Sequence, residues 1–249
     1  MDAATYTSVH RLLVDAATLA QDVATLPREA AHHLRVLRPR EGEPIELFDG
    51  AGRTRRYRWS AAHGALEAAG ACRTAAPRTR RITLFACVTK GSRWDWTIEK
   101  AVELGVARIV PVLSARCIVR LAPAERAAKA ERWRRIAEDA ARQSDAVWLP
   151  EVLEAVDFPE ALALVKTCDR VFVGALVQPP APPLLAAVQT AAAAASLGLF
   201  VGPEGDFTPD ELRALLACAT PTSFGPTVLR AETAAIFGVS VLAAATHEA

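Results

Sequence analysis

Residues 82–113 read ITLFACVTKGSRWDWTIEKAVELGVARIVPVL, and this stretch decides the fold of the larger part of the chain. It begins with a short apolar run at 82–88, which is typical of a buried strand. Apolar residues at helical spacing follow at 94–105, and 107–113 is a second apolar run. A strand, a helix and a strand in this order predict a βαβ unit with parallel strands.

The same alternation continues toward the end of the chain. A long charged helix is predicted at 123–144 and a last helix from about residue 231 to residue 245. Further strands are predicted at 170–176, 197–201 and 222–224. Repeated βα units of this kind predict an α/β domain in which helices cover both faces of a mostly parallel sheet.

Ligands of such sheets bind outside the carboxyl ends of the strands. The candidate site therefore lies in the loops that follow the predicted strands, at 89–93, 174–180, 202–207 and 224–230.

The residues before Arg81 follow a different pattern of short segments separated by turn signals. VHRLLV at 9–14 is strand-like, and Pro27 to Leu37 has the pattern of a helix. Asp49-Gly50 between IELF and RRYRW indicates a hairpin connection. We therefore predict a small β-barrel-like domain with one helix, and a change of domain within GACRTAAPRTRR at 70–81.

Composition limits the class of protein. A chain of 249 residues suits one or two domains, and 51% hydrophobic with 23% charged residues argues against a disordered chain or a coiled coil. No apolar run reaches the roughly 18 residues of a membrane helix, and the first residues lack the pattern of a secretory signal. We expect a cytoplasmic protein with no membrane partner.

The cysteines and histidines give no sign of a metal site. Five cysteines are widely scattered without a CxxC pair, so we expect buried thiols and neither a zinc ribbon nor a disulfide framework. The adjacent His32 and His33 would point to different faces of a helix. No metal ion is therefore expected.

Arginine is concentrated near the start of the chain. Residues 1–81 contain 13 Arg and no Lys against 9 acidic residues. RTRRYRW at 53–59 interleaves arginines with Tyr57 and Trp59, a combination that suits phosphate contact and base stacking. The alternative is a solvated strand whose long side chains keep a small barrel soluble.

VGPEGDFTPDEL at 201–212 combines a strand end, a glycine turn and a helix start. Thr208 is the expected N-cap, Pro209 the first helical residue, and Glu211 completes a capping box. Gly202 and Gly205 would let backbone approach a ligand, although they could equally serve only a tight turn. The stretch contains neither GxGxxG nor a GxxxxGK[ST] phosphate loop.

FGPTVLRAETAA at 224–235 opens the last helix with charged residues. Glu232 is favoured near a helix N-terminus, whereas Arg230 is not. An arginine placed against this preference serves either a ligand or a salt bridge with Glu232. No GxSxG elbow is present, so a hydrolase triad has no support.

Four stretches in this order resemble the RsmE family of SPOUT-class methyltransferases: KGSRWDWTIEKAVELGVARIVPVLSARC, WRRIAEDAARQS, VGPEGDFTPDEL and FGPTVLRAETAA. HHLRVLRPREGEPIELFDGAG near the start also matches, so the resemblance covers nearly the whole chain. It implies a PUA-like RNA-binding β-barrel domain at 1–75 and, at 76–249, a SPOUT domain with a trefoil knot. It further implies a homodimer that uses S-adenosylmethionine to methylate N3 of a uracil in 16S rRNA of the small ribosomal subunit.

The resemblance also assigns residues. Arg230 and Glu204 are the expected catalytic residues, Arg230 as a donor to the uracil oxygens or a phosphate and Glu204 as a proton acceptor that could equally serve only to build the turn. The cofactor-binding residues that it implies are Ala175, Leu176, Val201, Gly202, Pro203, Glu204, Gly205, Phe224, Gly225, Val228, Leu229, Arg230 and Thr233. The RNA-binding residues expected are Arg35, Arg38, Arg53, Arg55, Arg56, Lys90, Arg93, Arg116 and Arg142.

Asp206 and Thr227 depart from the family pattern. Asp206 stands where a second glycine is expected, and Thr227 stands where relatives usually carry Arg or Asn. The first change would perturb the turn and the second would remove a polar contact. Two alternatives thus stay open: a SPOUT enzyme acting on another base or a ribose 2′-hydroxyl, and a non-catalytic RNA-binding ribosome-assembly factor.

Overall fold

The computed structural model describes residues 9–246, and the chain divides into two compact units. The N-terminal unit comprises the described residues up to Pro77 together with Ala141–Leu149, and the C-terminal unit comprises Arg78–Ala140 and the described residues from Pro150 onward. The segment 141–149 therefore groups with the N-terminal residues, although it lies beyond the predicted change of domain.

The N-terminal unit is built on one sheet with strand order β1-β3-β4-β5-β2, and β6 pairs with β4. β1 and β3 run parallel, and the remaining pairs are antiparallel. Its elements are β1 (His10–Leu13), α1 (Ala16–Ala20), β2 (Val23–Ala24), α2 (Arg28–Leu37), β3 (Pro44–Phe48), β4 (Arg53–Ser60), β5 (Ala65–Ala68) and β6 (Arg73–Thr74).

The predicted hairpin connects β3 and β4. Gly50 and Gly52 have φ values of +69° and +90°, which glycine adopts without steric penalty. The Asp49 carboxylate accepts hydrogen bonds from Ala51 N (2.8 Å) and Arg53 N (3.0 Å) and pairs with Arg53 Nε (2.6 Å). Partial burial would raise the pKa of Asp49, but these donors outweigh it and the pKa is lowered.

Segment 141–149 lies against this hairpin. Gly52 N donates to Val147 O (2.9 Å) and Leu149 N donates to Gly50 O (2.9 Å). The buried Arg11 side chain donates from Nη1 to the carbonyls of Ala141 (2.8 Å) and Ala146 (3.1 Å). The end of α4 and the residues that follow it are thus held to the unit by backbone hydrogen bonds and one buried cation.

The C-terminal unit is the predicted α/β domain. Its sheet has strand order β10-β8-β7-β12-β11-β13, β9 pairs with β8, and all these pairs are parallel. Its elements are β7 (Arg81–Cys87), α3 (Ser92–Glu103), β8 (Arg108–Leu113), α4 (Pro123–Gln143, which runs into the segment above), β9 (Glu151–Val152), β10 (Val156–Asp157), α5 (Phe158–Val165), β11 (Arg170–Gly174), α6 (Leu184–Gln189), β12 (Ser196–Val201), α7 (Pro209–Leu216), β13 (Thr220–Thr222) and α8 (Ala231–Thr246).

Successive side chains of β12 point to opposite faces of this sheet, and both faces are covered by helices. Phe200 packs against Phe158 of α5 and Phe207, with ring centroids 6.0 and 5.7 Å apart. The adjacent Leu199 points the other way, toward α8, because a Cβ added at Gly238 would lie 2.5 Å from its Cδ2. The predicted fold class is therefore confirmed, while the trefoil knot stays a prediction.

In the described part of the chain, no helix combines the length and the apolar character that crossing a membrane requires.

Candidate functional site

The loops after β11, β12 and β13 enclose a cavity of about 360 Å³ at the carboxyl ends of these strands. This is the edge at which parallel sheets bind ligands. The lining residues are Gly174, Ala175, Leu176, Val201, Gly202, Pro203, Glu204, Asp206, Thr222, Ser223, Phe224, Gly225, Thr227, Val228, Leu229, Arg230, Ala231 and Ala234. Three of the four predicted loops thus meet at one site.

The turn between β12 and α7 is fixed at its helical end. Thr208 Oγ1 accepts from Glu211 N (3.2 Å) and Glu211 Oε2 accepts from Thr208 N (2.9 Å), which is the predicted capping box. Asp206 has a φ of +57°, and its side chain accepts from Phe207 N (2.7 Å). Asp tolerates this left-handed conformation better than most residues, so the backbone strain at this position is small although it lacks the expected glycine.

The loop after β8 holds the same turn from outside the cavity. Arg116 Nη1 donates to Gly205 O (3.0 Å) and Phe207 O (3.2 Å). Ala115 N donates to the other carboxylate oxygen of Glu211 (2.8 Å). These bonds place Gly205 beside Arg116, so Gly205 is not among the lining residues.

Close packing of aromatic rings on glycines shapes the cavity wall. A Cβ added at Gly174 would lie 2.6 Å from the Phe224 ring, and one added at Gly202 would lie 3.0 Å from Phe207. The Phe224 ring also packs on Phe237, with centroids 5.7 Å apart. Glycine is therefore required at the end of β11, because any side chain there would clash with the Phe224 ring that lines the cavity.

Charged residues line the cavity, and another charged residue pairs with one of them. Glu204 and Arg230 both line it, and the exposed Arg230 side chain makes no hydrogen bond or ion pair within residues 9–246. Arg93 lies 3.3 Å from the Glu204 carboxylate (Nη1 to Oε1) and 3.9 Å from that of Glu232 (Nε to Oε1). The alternative, a salt bridge between Arg230 and Glu232, does not form. Glu232 pairs with Arg93 instead.

Most of the predicted cofactor-binding residues line the cavity. The exceptions are Gly205, which faces Arg116, and Thr233, which is exposed on α8. The lining residues that the prediction omitted are Gly174, Asp206, Thr222, Ser223, Thr227, Ala231 and Ala234. Most of them are small residues at the ends of strands and helices, which carry no distinctive pattern. Arg230 and Glu204, the predicted catalytic pair, lie at the same cavity.

The predicted RNA-binding arginines differ in their surroundings. Arg53 pairs with Asp49, Arg116 binds the turn carbonyls, and Arg55 pairs with Asp22 (2.7 Å) and donates to Gly70 O (2.9 Å). By contrast, the described residues offer no hydrogen bond or ion pair to the side chains of Arg35, Arg38, Arg56 and Lys90. Arg142 lies in the last turn of α4.

Two buried thiols, Cys87 at the end of β7 and Cys117 in the loop after β8, lie close together. Cys117 Sγ accepts from Ser114 N (3.3 Å) and lies 3.3 Å from Ser114 Oγ, while Cys87 Sγ lies 3.5 Å from the same hydroxyl. Hydrogen bonding from Cys87 and Ser114 lowers the pKa of Cys117 to about 6, and burial raises the pKa of Cys87. Across residues 9–246, no three His, Cys, Asp or Glu side chains are grouped to hold a metal ion.

Known protein families match both parts of the chain. A family model described as an RNA methyltransferase domain matches residues 76–243, and one described as an RNA methyltransferase PUA domain matches residues 26–63. These matches agree with the resemblance found in the sequence.

Curated proteins and solved structures give the same result. The ribosomal RNA small subunit methyltransferase E of Mycobacterium bovis is 35% identical over 224 residues, covering 88% of this chain and 84% of that protein. The crystal structure of the Neisseria gonorrhoeae protein of that name, bound to S-adenosyl methionine, has a TM-score of 0.80 at 28% identity and covers 94% of this chain and 96% of its own. A Legionella pneumophila methyltransferase with bound SAM has a TM-score of 0.78 at 26% identity, covering 96% and 98% of the two chains. The chain therefore belongs to the RNA methyltransferase family that includes ribosomal RNA small subunit methyltransferase E.

Proposed function

We propose that this protein transfers a methyl group from S-adenosylmethionine to N3 of a uracil in 16S rRNA of the small ribosomal subunit. The observation that carries the proposal is the cavity at the ends of β11, β12 and β13, which gathers the glycine turn, an apolar wall, Glu204 and Arg230. Relatives with the same architecture are described as bound to this cofactor and as acting on small-subunit ribosomal RNA.

The cavity fits a molecule of this kind. Its volume of about 360 Å³ lies within the range of small-molecule sites, roughly 300–1,000 Å³. Leu176, Val228 and Leu229 offer apolar walls for an adenine ring, and the open backbone at Gly225 lets main-chain groups approach the ligand. When bound, the cofactor supplies an electrophilic methyl group on a positively charged sulfur.

The target nitrogen sets the demands on the protein. N3 of uracil carries a proton and a delocalised lone pair, so it attacks only as that proton leaves. The site must hold N3 in line with the methyl group and stabilise negative charge on the flanking oxygens. Because N3 lies on the pairing edge, the uracil has to be unpaired or flipped out.

Arg230 is the proposed donor to the uracil oxygens or an adjacent phosphate. Its guanidinium is exposed at the cavity, and no described side chain competes for its hydrogen bonds. Glu204 lines the same cavity with a side chain that is 25% exposed, which suits a carboxylate that accepts the N3 proton.

RNA binding is assigned mainly to basic side chains that make no hydrogen bond or ion pair within the described structure. Arg35, Arg38 and Arg56 of the N-terminal unit and Lys90 of the C-terminal unit meet this condition in the described structure. They would contact phosphate and set the register of the RNA, whereas the cavity would select the base. A cytoplasmic location completes the proposal, since the substrate is ribosomal RNA. A homodimer is added because the family resemblance implies it.

The test incubates the protein with labelled S-adenosylmethionine and small ribosomal subunits from cells that lack the native modification. The RNA is digested and the labelled nucleoside is identified by mass spectrometry. We expect 3-methyluridine to be the only labelled nucleoside. A different methylated nucleoside would move the target to another base or ribose, and RNA binding without label or cofactor binding would favour an assembly factor.

A further inference from the structure

Arg93 lies between two carboxylates that belong to different elements. It is in the first turn of α3, whereas Glu204 belongs to the turn after β12 and Glu232 to the first turn of α8. Its distances to the two carboxylates are 3.3 and 3.9 Å. One guanidinium therefore joins the three segments at the side of the cavity where Glu204 lies.

Burial makes this cation necessary for Glu232. The Glu232 side chain is 11% exposed, and its Oε2 atom is buried with no hydrogen-bond partner within residues 9–246. An ionised carboxylate in such surroundings is costly unless a cation or a helix N-terminus compensates for the lost hydration. Arg93 supplies the ion pair that the described structure gives to Glu232.

Glu204 depends on the same guanidinium. The only ion pair that the described residues give its carboxylate is the one with Arg93. If Arg93 turned away to bind a phosphate, Glu204 and Glu232 would both lose their cation. The arginine is therefore committed to the protein, although its own side chain is 49% exposed.

We propose that Arg93 is a positioning residue that holds Glu204 at the cavity wall by bridging it to Glu232, and that it does not bind RNA phosphate. The inference rests on the proposed methyl transfer, in which Glu204 faces the uracil. Arg93 itself touches neither substrate nor cofactor and acts through the orientation of Glu204.

The first experiment separates positioning from phosphate binding. Affinity for small ribosomal subunits is measured against salt concentration for wild type, Arg93→Ala, Lys90→Ala and the exposed-surface control Arg213→Ala. Loss of one phosphate contact lowers the slope of log K against log salt by roughly 0.7–0.9, as expected for Lys90→Ala. Arg93→Ala should keep the wild-type slope. A slope lowered by the amount expected for one phosphate contact would overturn the proposal.

The second experiment tests whether Arg93 acts through Glu204. Arg93→Ala should lower the single-turnover rate of methyl transfer by roughly 10- to 100-fold with little change in cofactor affinity, and Arg93→Lys should restore part of it. Arg93→Ala combined with Glu204→Gln should be no slower than Glu204→Gln alone. Losses that multiply in the double variant would refute the proposed coupling.

A third measurement does not depend on activity. Urea unfolding midpoints are compared for Arg93→Ala, Glu232→Gln and the double variant. If Arg93 pairs with Glu232, the double variant is destabilised no more than the worse single variant, whereas additive losses contradict the pairing. Absence of 3-methyluridine with wild type would instead refute the proposed function and leave this cycle intact.

Discussion

At the scale of the residue, Arg230 has the position expected of a group that serves a ligand. It immediately precedes α8, where the helix dipole disfavours a cation, and no described side chain neutralises it. A ligand with negative charge, or one that develops it during reaction, would compensate for this cost. From the sequence, a salt bridge between Arg230 and Glu232 is an alternative. In the structure Glu232 pairs with Arg93 instead.

Replacement of Arg230 by alanine should therefore affect chemistry more than cofactor binding. We expect the rate of methyl transfer to fall by roughly 10²–10³-fold, the usual effect of removing one donor to developing charge. Single-turnover kinetics and calorimetry with S-adenosylmethionine measure the two quantities. An equal loss of rate and cofactor affinity would make Arg230 a structural or cofactor-binding residue.

Cys117 links stability to pH. Hydrogen bonds from Cys87 and Ser114 lower its pKa to about 6, whereas the pKa of a cysteine thiol in the unfolded chain is roughly 8.5. Between these values the unfolded state binds the extra proton, so stability should rise with pH and be lost as pH falls through 6. Above this window the raised pKa of Cys87 acts in the opposite direction.

The comparison that isolates this effect is urea unfolding of wild type and Cys117→Ser from pH 6 to 8.5. The difference in unfolding free energy between the two proteins should grow in favour of wild type as pH increases. Parallel pH profiles would show that the thiolate contributes nothing in the folded state.

At the scale of the element, α8 depends on a glycine in its interior. Gly238 faces Leu199, and an added Cβ would lie 2.5 Å from Leu199 Cδ2 and 3.1 Å from Cδ1. Leu199 is fully buried in β12, so the surrounding core would have to absorb any shift of its side chain. The packing distance between α8 and the sheet is therefore set by the absence of one methyl group.

Gly238→Ala should destabilise the protein, although alanine is normally favoured over glycine in a helix by about 1 kcal/mol. Overpacking costs roughly 1–3 kcal/mol, which exceeds that gain. Urea unfolding measures the net loss, and Gly238→Ala combined with Leu199→Val should recover part of it. A stabilised Gly238→Ala variant would contradict the packing described for this helix.

Elements with local signals could be predicted from the sequence, and those that depend on distant partners could not. Thr208, Pro209 and Glu211 mark the start of α7 through contacts within one turn, and Asp49-Gly50 marks a hairpin in the same way. The two-residue strands β9 and β10 pair along the one edge of β8 that β7 does not occupy, which no local pattern shows. The contact between Arg93 and Glu204 likewise joins residues far apart in sequence.

At the scale of the whole molecule, the N-terminal unit is completed by a distant segment. Arg11 is 4% exposed, packs over the Phe48 ring at 4.3 Å, and reaches the carbonyls of Ala141 and Ala146. Its Nε also donates to Glu46 (3.0 Å). One buried guanidinium thus connects the core of the unit to residues from the middle of the chain.

Arg11→Ala should consequently cost roughly 3–5 kcal/mol, because it removes a buried cation and leaves the buried Ala141 carbonyl, the partly buried Ala146 carbonyl and the partly buried Glu46 carboxylate without their donor. Arg58→Ala is the matched control, since the one hydrogen bond that the Arg58 side chain makes within residues 9–246 is to the Gly42 carbonyl at the surface. Urea unfolding gives the free energies, and limited proteolysis should show faster cleavage within residues 141–149 of Arg11→Ala. Equal stability of the two variants would show that Arg11 is not required to hold the segment.

The place of segment 141–149 has a consequence for synthesis on the ribosome. Chains grow at roughly 5–20 residues per second, so several seconds separate the emergence of Pro77 from that of Leu149. Throughout this interval the hairpin edge at Gly50 and Gly52 lacks the backbone of residues 147–149 beside it, and Arg11 lacks the carbonyls of Ala141 and Ala146. The N-terminal unit therefore cannot close when Pro77 has emerged, because Arg78–Ala140 of the other unit must be translated first.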